Sequence, residues 1–148
     1  MKVSVSEIET RSKAALIAHG AGEMQAGAVA HAVGRAEALG NVICGLYYLE
    51  SYCTQLKSGR VNGTVEPVVT HPRPGAIFAD AKFGFAQPAF AAGLQKAVDA
   101  ARTNGVATLA VAHAHTCTSL GYFTEQIAGQ GLIRSEERRV GKECRSRW

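Results

Sequence analysis

Residues 106–131, VATLAVAHAHTCTSLGYFTEQIAGQG, bring an apolar strand, a polar turn and an amphipathic helix together in one short stretch. Val106, Leu109, Ala110, Val111 and Ala112 form a run of small apolar residues, the pattern of a strand covered on both faces in a layered α/β protein. His113, Ala114, His115, Thr116, Cys117, Thr118 and Ser119 then crowd hydrogen-bonding side chains into seven residues. From Ser119 the period changes, with Leu120, Phe123 and Ile127 recurring at helical spacing until Gly129 and Gly131 stop the helix. Open α/β sheets bind ligands where a strand end feeds a helix N-terminus, because free N–H groups and the helix dipole favour anions there. The functional site is therefore expected in this stretch.

Outward from it, the chain alternates elements. Asn104 and Gly105 close a helix that Pro88 is suited to begin and that runs to Arg102, after a turn spanning Lys82 to Gln87. Val65 to Thr70 and Ala76 to Asp80 read as short strands around His71, Pro72, Arg73, Pro74 and Gly75. Three helices come first. Ser6 and Glu9 form a capping box for one that ends at Gly20 and Gly22. The second spans Glu23 to Leu39, with Met24, Ala28, Ala32, Val33, Ala36 and Leu39 available for packing. The third spans Ile43 to Lys57, with Leu46, Leu49, Cys53 and Leu56 at core spacing. Residues 1–60 thus read as a helical unit and 61–133 as a partial α/β portion.

The 148 residues suffice for one sizeable core and are short for two domains. No apolar run is long enough to cross a bilayer, and the first twenty residues lack the order of a signal peptide, so a cytoplasmic setting is expected. Cys44, Cys53, Cys117 and Cys144 show no framework spacing, which suits reduced thiols. Residues 134–148, RSEERRVGKECRSRW, carry +3 of the formal +4 charge. They closely resemble a translated sequencing-library adapter and read as a non-native tail. Without them the charge is about +1, which leaves no basis for a nucleic-acid or membrane partner.

Neither GxGxxG after a strand nor GxxxxGK[ST] occurs, so the sequence lacks both a Rossmann fingerprint and a P-loop. His113, His115 and Cys117 alternate and could present three zinc ligands on one extended face. They equally suit a polar cleft, and a histidine there can act as general acid or base. Thr116, Thr118 and Ser119 are N-cap candidates whose hydroxyls can also hold a phosphate or carboxamide. Tyr47, Tyr48 and Tyr52 give the third helix an aromatic side suited to packing or a subunit interface.

The ordered blocks AEALGNVICGLYYLESYCTQLKSGRVNG, FGFAQPAF and VAHAHTCTSLGYFTEQIAGQGLI resemble the N-terminal part of the malate/L-lactate dehydrogenase family, which includes sulfolactate and ureidoglycolate dehydrogenases. The resemblance spans residues 3–133. It implies an α/β fold with a mixed sheet, unlike the Rossmann domain and incomplete at the C-terminus. It also implies dependence on NAD or NADP, a small 2-hydroxy acid, 2-oxo acid or cyclic imino acid as substrate, and a homodimer. Where the family shows Gly-His-Asp-Ser-His-Gly, this chain has Gly40, Asn41, Val42, Ile43, Cys44 and Gly45, so Ile43 and Cys44 replace the Ser-His pair. Tyr48 stands where an arginine often follows. The family's Asn-Ser-X-His-Phe-Gly histidine falls on Thr116, one place after His115, while Gln87, Gly121 and Tyr122 match.

These correspondences imply His115 as catalytic acid or base, Thr116, Cys117, Thr118 and Ser119 at the cofactor, and Cys44, Tyr48 and Gln87 at the substrate; the polar-cleft reading of positions 113, 115 and 117 is preferred to a metal site there. A substrate carboxylate would fall to Arg73, Arg35 or a residue beyond position 133. Much of the family's cofactor site also lies downstream of 133, so the chain by itself is expected to be inactive. Two other readings stay open: a non-catalytic dimeric interaction protein derived from the family, and a small metal-binding module.

Overall fold

Ser4 begins the first helix: its backbone is extended and its hydroxyl accepts the Glu7 N–H at 3.1 Å, which makes Ser4 and Glu7 the capping pair. The expected pair, Ser6 and Glu9, lies one half-turn inside α1 (Val5–Ala18). In this computed structural model, which describes residues 3–115 and 117–133, α1 is followed by α2 (Glu23–Ala38), a 3-10 turn (Val42–Cys44) and α3 (Leu46–Lys57). Next come β1 (Val68–Arg73), β2 (Ala76–Asp80), α4 (Ala86–Asn104), β3 (Thr108–Ala112) and α5 (Leu120–Ala128). The tail from 134 onward lies outside the described residues.

The first three helices pack on one another because each places a stripe of Ala, Val and Leu inward. Leu16, Val29, Val33, Tyr52 and Leu56 are buried together, and Phe85 joins them from the α/β portion. Of the residues expected inside, Ala32, Val33, Ala36, Cys53 and Leu56 are buried, whereas Met24, Leu39 and Leu46 are exposed. Periodicity locates the stripe but not its ends. The third helix starts later than expected because Val42–Cys44 winds as a tighter turn before Gly45. Gly45 has no Cβ, which leaves room for the Glu37 carboxylate to accept the Leu46 N–H at 2.7 Å and cap α3.

The sheet has the order β1-β2-β3, with β1 antiparallel to β2 and β2 parallel to β3, a mixed arrangement. Ala76 pairs with Thr108 and Asp80 with Ala112, so β2 and β3 end together. α4 covers one face, where Leu109 and Val111 meet Ala79, Ala81 and Ala89. Thr108 and Ala110 are exposed, so β3 is covered on one face here and not on both. β1 begins three residues later than expected and runs through His71–Arg73, where a register irregularity between Thr70 and Arg73 accommodates Pro72. α4 starts at Ala86, two residues before Pro88, and ends at Gly105 with φ +81°.

Past the strand ends, the β2–β3 pairing continues as single backbone bonds. Ala81 N–H donates to Ala112 O at 2.9 Å, Phe83 N–H to His113 O at 2.8 Å and His115 N–H to Gly84 O at 2.8 Å. The turn at 81–84 is threaded closely. A Cβ on Gly84 would lie 2.8 Å from Val65 Cγ1 and 2.9 Å from the Ala81 carbonyl oxygen, and backbone cannot move aside cheaply. Gly84→Ala is therefore expected to lower stability by about 1–3 kcal/mol. Gly121→Ala, whose Cβ would meet Ser119 Oγ at an ordinary 3.9 Å, should be nearly neutral in the same chemical-denaturation series.

Candidate functional site

The polar turn after β3 meets the start of α4, and the site is built from that meeting. His115 pairs with Phe85 as a bridge, and its carbonyl accepts the N–H of Ala86, the first residue of α4, at 3.3 Å. Phe85 packs edge-on against Tyr52 of α3 with ring centroids 5.6 Å apart. Phe85 thus joins two groups of polar side chains.

The first group gathers on the Tyr52 hydroxyl. Thr118 Oγ1 is 2.9 Å away and Gln87 Nε2 donates to the same oxygen at 3.2 Å. The Tyr48 ring stands 5.1 Å from the Tyr52 ring, and Cys117 is close enough to act on the phenol electrostatically. Burial pushes the Tyr52 hydroxyl up to about 12, despite the bonds from Thr118 and Gln87 that pull it down. It is a neutral hydrogen-bonding hub at physiological pH. Gln87 is fully buried in the first turn of α4, and its Oε1 has no hydrogen-bond partner among the described residues.

The second group surrounds His115. Its Nε2 is buried without a hydrogen-bond partner among the described residues. Burial lowers the imidazole below its ordinary value, and the Arg60 guanidinium lowers it further. Arg60 comes from the loop after α3, which is fastened to the same turn: Asn62 N–H donates to Phe83 O at 3.0 Å. Backbone strain marks this region as well. Lys82, Phe83, His113 and Thr118 all have positive φ without being glycine, at 51°, 62°, 48° and 30°.

Several sequence expectations resolve differently. His113 does not join His115 and Cys117; its Nδ1 lies 3.1 Å from Asp80 Oδ1, and its ring tilts against Phe83. Asp80 also accepts the Lys82 N–H at 2.8 Å, the main cause of its lowered pKa. No group of three or more metal-ligating side chains forms among the described residues, so the alternation at 113, 115 and 117 does not become a ligand set. Ser119 occupies the N-cap position of α5 but makes no side-chain cap bond, and Thr118 bonds Tyr52 instead. Thr116 lies outside the described residues. Cys44 sits in the 3-10 turn, four residues ahead of Tyr48.

Tyr52 belongs to the core side of α3 while Tyr47 is exposed, so the three tyrosines do not form one interface. Arg35 is ion-paired with Glu125, Nε to Oε2 at 3.2 Å, and is committed to holding α5 on α2. Sequence reasoning missed Tyr52 and Arg60 as site residues. Tyr52 had a usable signal, since Tyr48, Tyr52 and Leu56 share one face at helical spacing. Arg60 had none, because its place depends on a loop crossing to the 83–84 turn.

Residues 3–135 match the family described as malate/L-lactate dehydrogenase. The chain belongs to this family. Within it, the chain is 33% identical over 133 residues to a Delta(1)-pyrroline-2-carboxylate/Delta(1)-piperideine-2-carboxylate reductase of Pseudomonas putida, covering 90% of this chain and 39% of that protein. It is 34% identical over 131 residues to a (2R)-3-sulfolactate dehydrogenase (NADP(+)) of Chromohalobacter salexigens, covering 88% and 39%. The solved structure of delta1-piperideine-2-carboxylate reductase from Pseudomonas syringae matches with a TM-score of 0.86 at 32% identity, covering 88% of this chain and 40% of that one. The chain thus spans well under half the length of these malate/L-lactate dehydrogenase relatives, and the match takes in every element from α1 to α5.

Proposed function

We propose that this chain is the N-terminal part of an NAD(P)-dependent oxidoreductase that exchanges a hydride between a nicotinamide cofactor and a small 2-oxo acid, 2-hydroxy acid or cyclic imino acid. The observation that carries the reading is the buried, unpartnered Nε2 of His115 at the head of a strand-to-helix turn, in a member of this family. An orphaned buried imidazole nitrogen is costly for stability and suits a group reserved for a ligand's proton.

The reading fits the residues present. When bound, the nicotinamide supplies or accepts the hydride. Cys117, Thr118 and Ser119 would hold the cofactor from the turn before α5, where Ser119 at the N-cap makes no side-chain bond to the helix N–H groups, and Thr116 is assigned with them from the sequence alone. His115, kept neutral by burial and Arg60, takes the proton from a hydroxyl in the oxidation direction and returns it in reduction. Gln87 offers its unpartnered Oε1 to an N–H donor on the ligand, and Tyr52 fixes the amide so that Oε1 is the free end. Tyr48 and Cys44 line the substrate side, where the family's Ser-His pair is replaced by Ile43 and Cys44.

We place the protein in the cytoplasm as a homodimer, a reading supported by the unbridged thiols of Cys44 and Cys53 and by the exposed apolar residues Leu39, Val42, Ile43, Leu46 and Tyr47. No helix among the described residues is long and apolar enough to cross a membrane. Calorimetry on the full-length gene product tests the cofactor assignment. NADH or NADPH is expected to bind, and Thr118→Trp to weaken it about tenfold or more by filling the turn. Equal affinity in the variant would remove Thr118 from the cofactor site.

A further inference from the structure

We propose that Arg60 grips the substrate carboxylate, at a position it shares with His115. The inference rests on the oxidoreductase reading above. A negatively charged small acid needs a cation that is not already neutralised and that stands beside the proton-transfer group. Among the described residues, Arg11 is paired with Glu7, Lys13 with Glu23, Arg35 with Glu125 and Lys82 with Asp80. Arg102 donates to the Gln130 carbonyl. Arg60, Arg73, Lys57 and Lys96 have no such partner among the described residues.

Position then separates these four. Arg73 and Lys96 line an open cleft of about 710 Å³ with His71, Pro74, Asp99 and Asn104. That cleft lies at the opposite end of the sheet from His115. Asn104 Nδ2 donates to Pro74 O at 3.0 Å and Thr108 N–H to Gly75 O at 2.8 Å, which fixes the cleft at the start of β3. His115 follows the strand's other end, roughly 20 Å away at the usual rise per residue. Lys57 lines a separate hollow with His19, Glu50 and Cys53. Arg60 alone of the four is carried to the site, by the loop whose Asn62 binds Phe83 and whose Asn62 and Val65 flank Gly84. Gly84 in turn holds the backbone of His115. A guanidinium presents two parallel N–H donors to a carboxylate, and its fixed charge orients the acid with its reacting carbon toward the imidazole.

The test uses the full-length gene product with its nicotinamide nucleotide bound and two probes, pyrrole-2-carboxylate and its neutral counterpart pyrrole-2-carboxamide. Arg60→Gln is expected to weaken the carboxylate about tenfold or more and to leave the carboxamide within about twofold. Arg60→Lys should recover part of the loss, and Arg73→Gln should change neither probe. Arg60 is exposed, so folding is expected to be unaffected, and an unchanged unfolding midpoint checks that. Unchanged carboxylate affinity in Arg60→Gln, with turnover intact in the unaltered enzyme, overturns this inference alone. An equal loss for both probes also overturns it, since the charge would then not be what is read. A protein that binds neither nucleotide nor carboxylate overturns the oxidoreductase reading together with this one.

Discussion

Replacing His115 by Ala in the full-length gene product is expected to cut turnover by about a hundredfold or more, the usual contribution of a positioned general acid or base. The structure makes this substitution unusually clean. His115 Nε2 has no hydrogen-bond partner among the described residues, so its removal breaks no Nε2 hydrogen bond to them. The bonds that His115 makes to Gly84 and Ala86 run through its backbone and survive in alanine. Loss of rate with an unchanged unfolding midpoint and unchanged nucleotide affinity is the predicted pattern. A variant that turns over at the original rate would remove His115 from the chemistry. The pH profile adds a second readout. Because burial and Arg60 lower the imidazole pKa, its neutral form persists below the ordinary value, and the oxidation rate should decline only at correspondingly lower pH.

Tyr52→Ala should be the most damaging single change to the fold among the residues discussed, at about 3–5 kcal/mol. Its ring is 1% exposed and packs edge-on against both Tyr48 and Phe85. Tyr52→Phe keeps the ring and deletes the hydroxyl on which Thr118 and Gln87 converge. Leaving the buried Gln87 amide without its acceptor should cost about 1–3 kcal/mol. The hydroxyl also predicts a pH dependence. Its pKa rises on folding from 10.0 to about 12, so its share of stability is complete below pH 10 and is lost as pH rises toward 12. That share is about 3 kcal/mol, and the Phe variant should not show the alkaline loss. Urea titrations at successive pH values read both effects, and an identical alkaline decline in the two proteins would contradict the hub role.

Much of the architecture was legible because the punctuation is strong. β2 lies at Ala76–Asp80 as read, α2 ends within a residue of expectation, and Gly105 stops α4 with the positive φ that only glycine adopts freely. What failed has physical causes. An apolar residue at helical spacing is buried only if another element reaches it, and nothing among the described residues covers Met24, Leu39 or Leu46. The β1 boundary moved because exposed His71–Arg73 can pair with β2 through a bulge that neither alternation nor composition signals. The double-sided apolar pattern of β3 anticipated cover on both faces, and α4 supplies one.

The site divides in the same way. His115, Cys117 and Thr118 stand out in the sequence as polar residues of one strand-to-helix turn, and Gln87 through the family resemblance; in the fold His115 lies beside Phe85, while Gln87 and Thr118 meet at the Tyr52 hydroxyl. Arg60 carried no signal, because its place depends on the Asn62–Phe83 crossing between distant segments; helical spacing marks Tyr52 as a core residue of α3 but not its bond to Thr118, which only the fold supplies. Arg35 and Arg73 looked equally suitable as carboxylate partners in the sequence. One is held by Glu125 and the other lies at the far end of the sheet.

The central claim is tested most directly by isotope transfer. The full-length gene product is incubated with nicotinamide nucleotide deuterated at the hydride-carrying carbon and with Δ1-pyrroline-2-carboxylate, and the proline formed is analysed by mass spectrometry and NMR. A hydride-transferring enzyme of this family is predicted to deliver one deuterium to the α-carbon of proline as nucleotide is oxidised. If the nucleotide and the imino acid are both recovered unchanged, and neither 2-oxo acids such as pyruvate with the reduced nucleotide nor 2-hydroxy acids such as malate with the oxidised nucleotide react, the chain belongs to a protein that has lost the reaction.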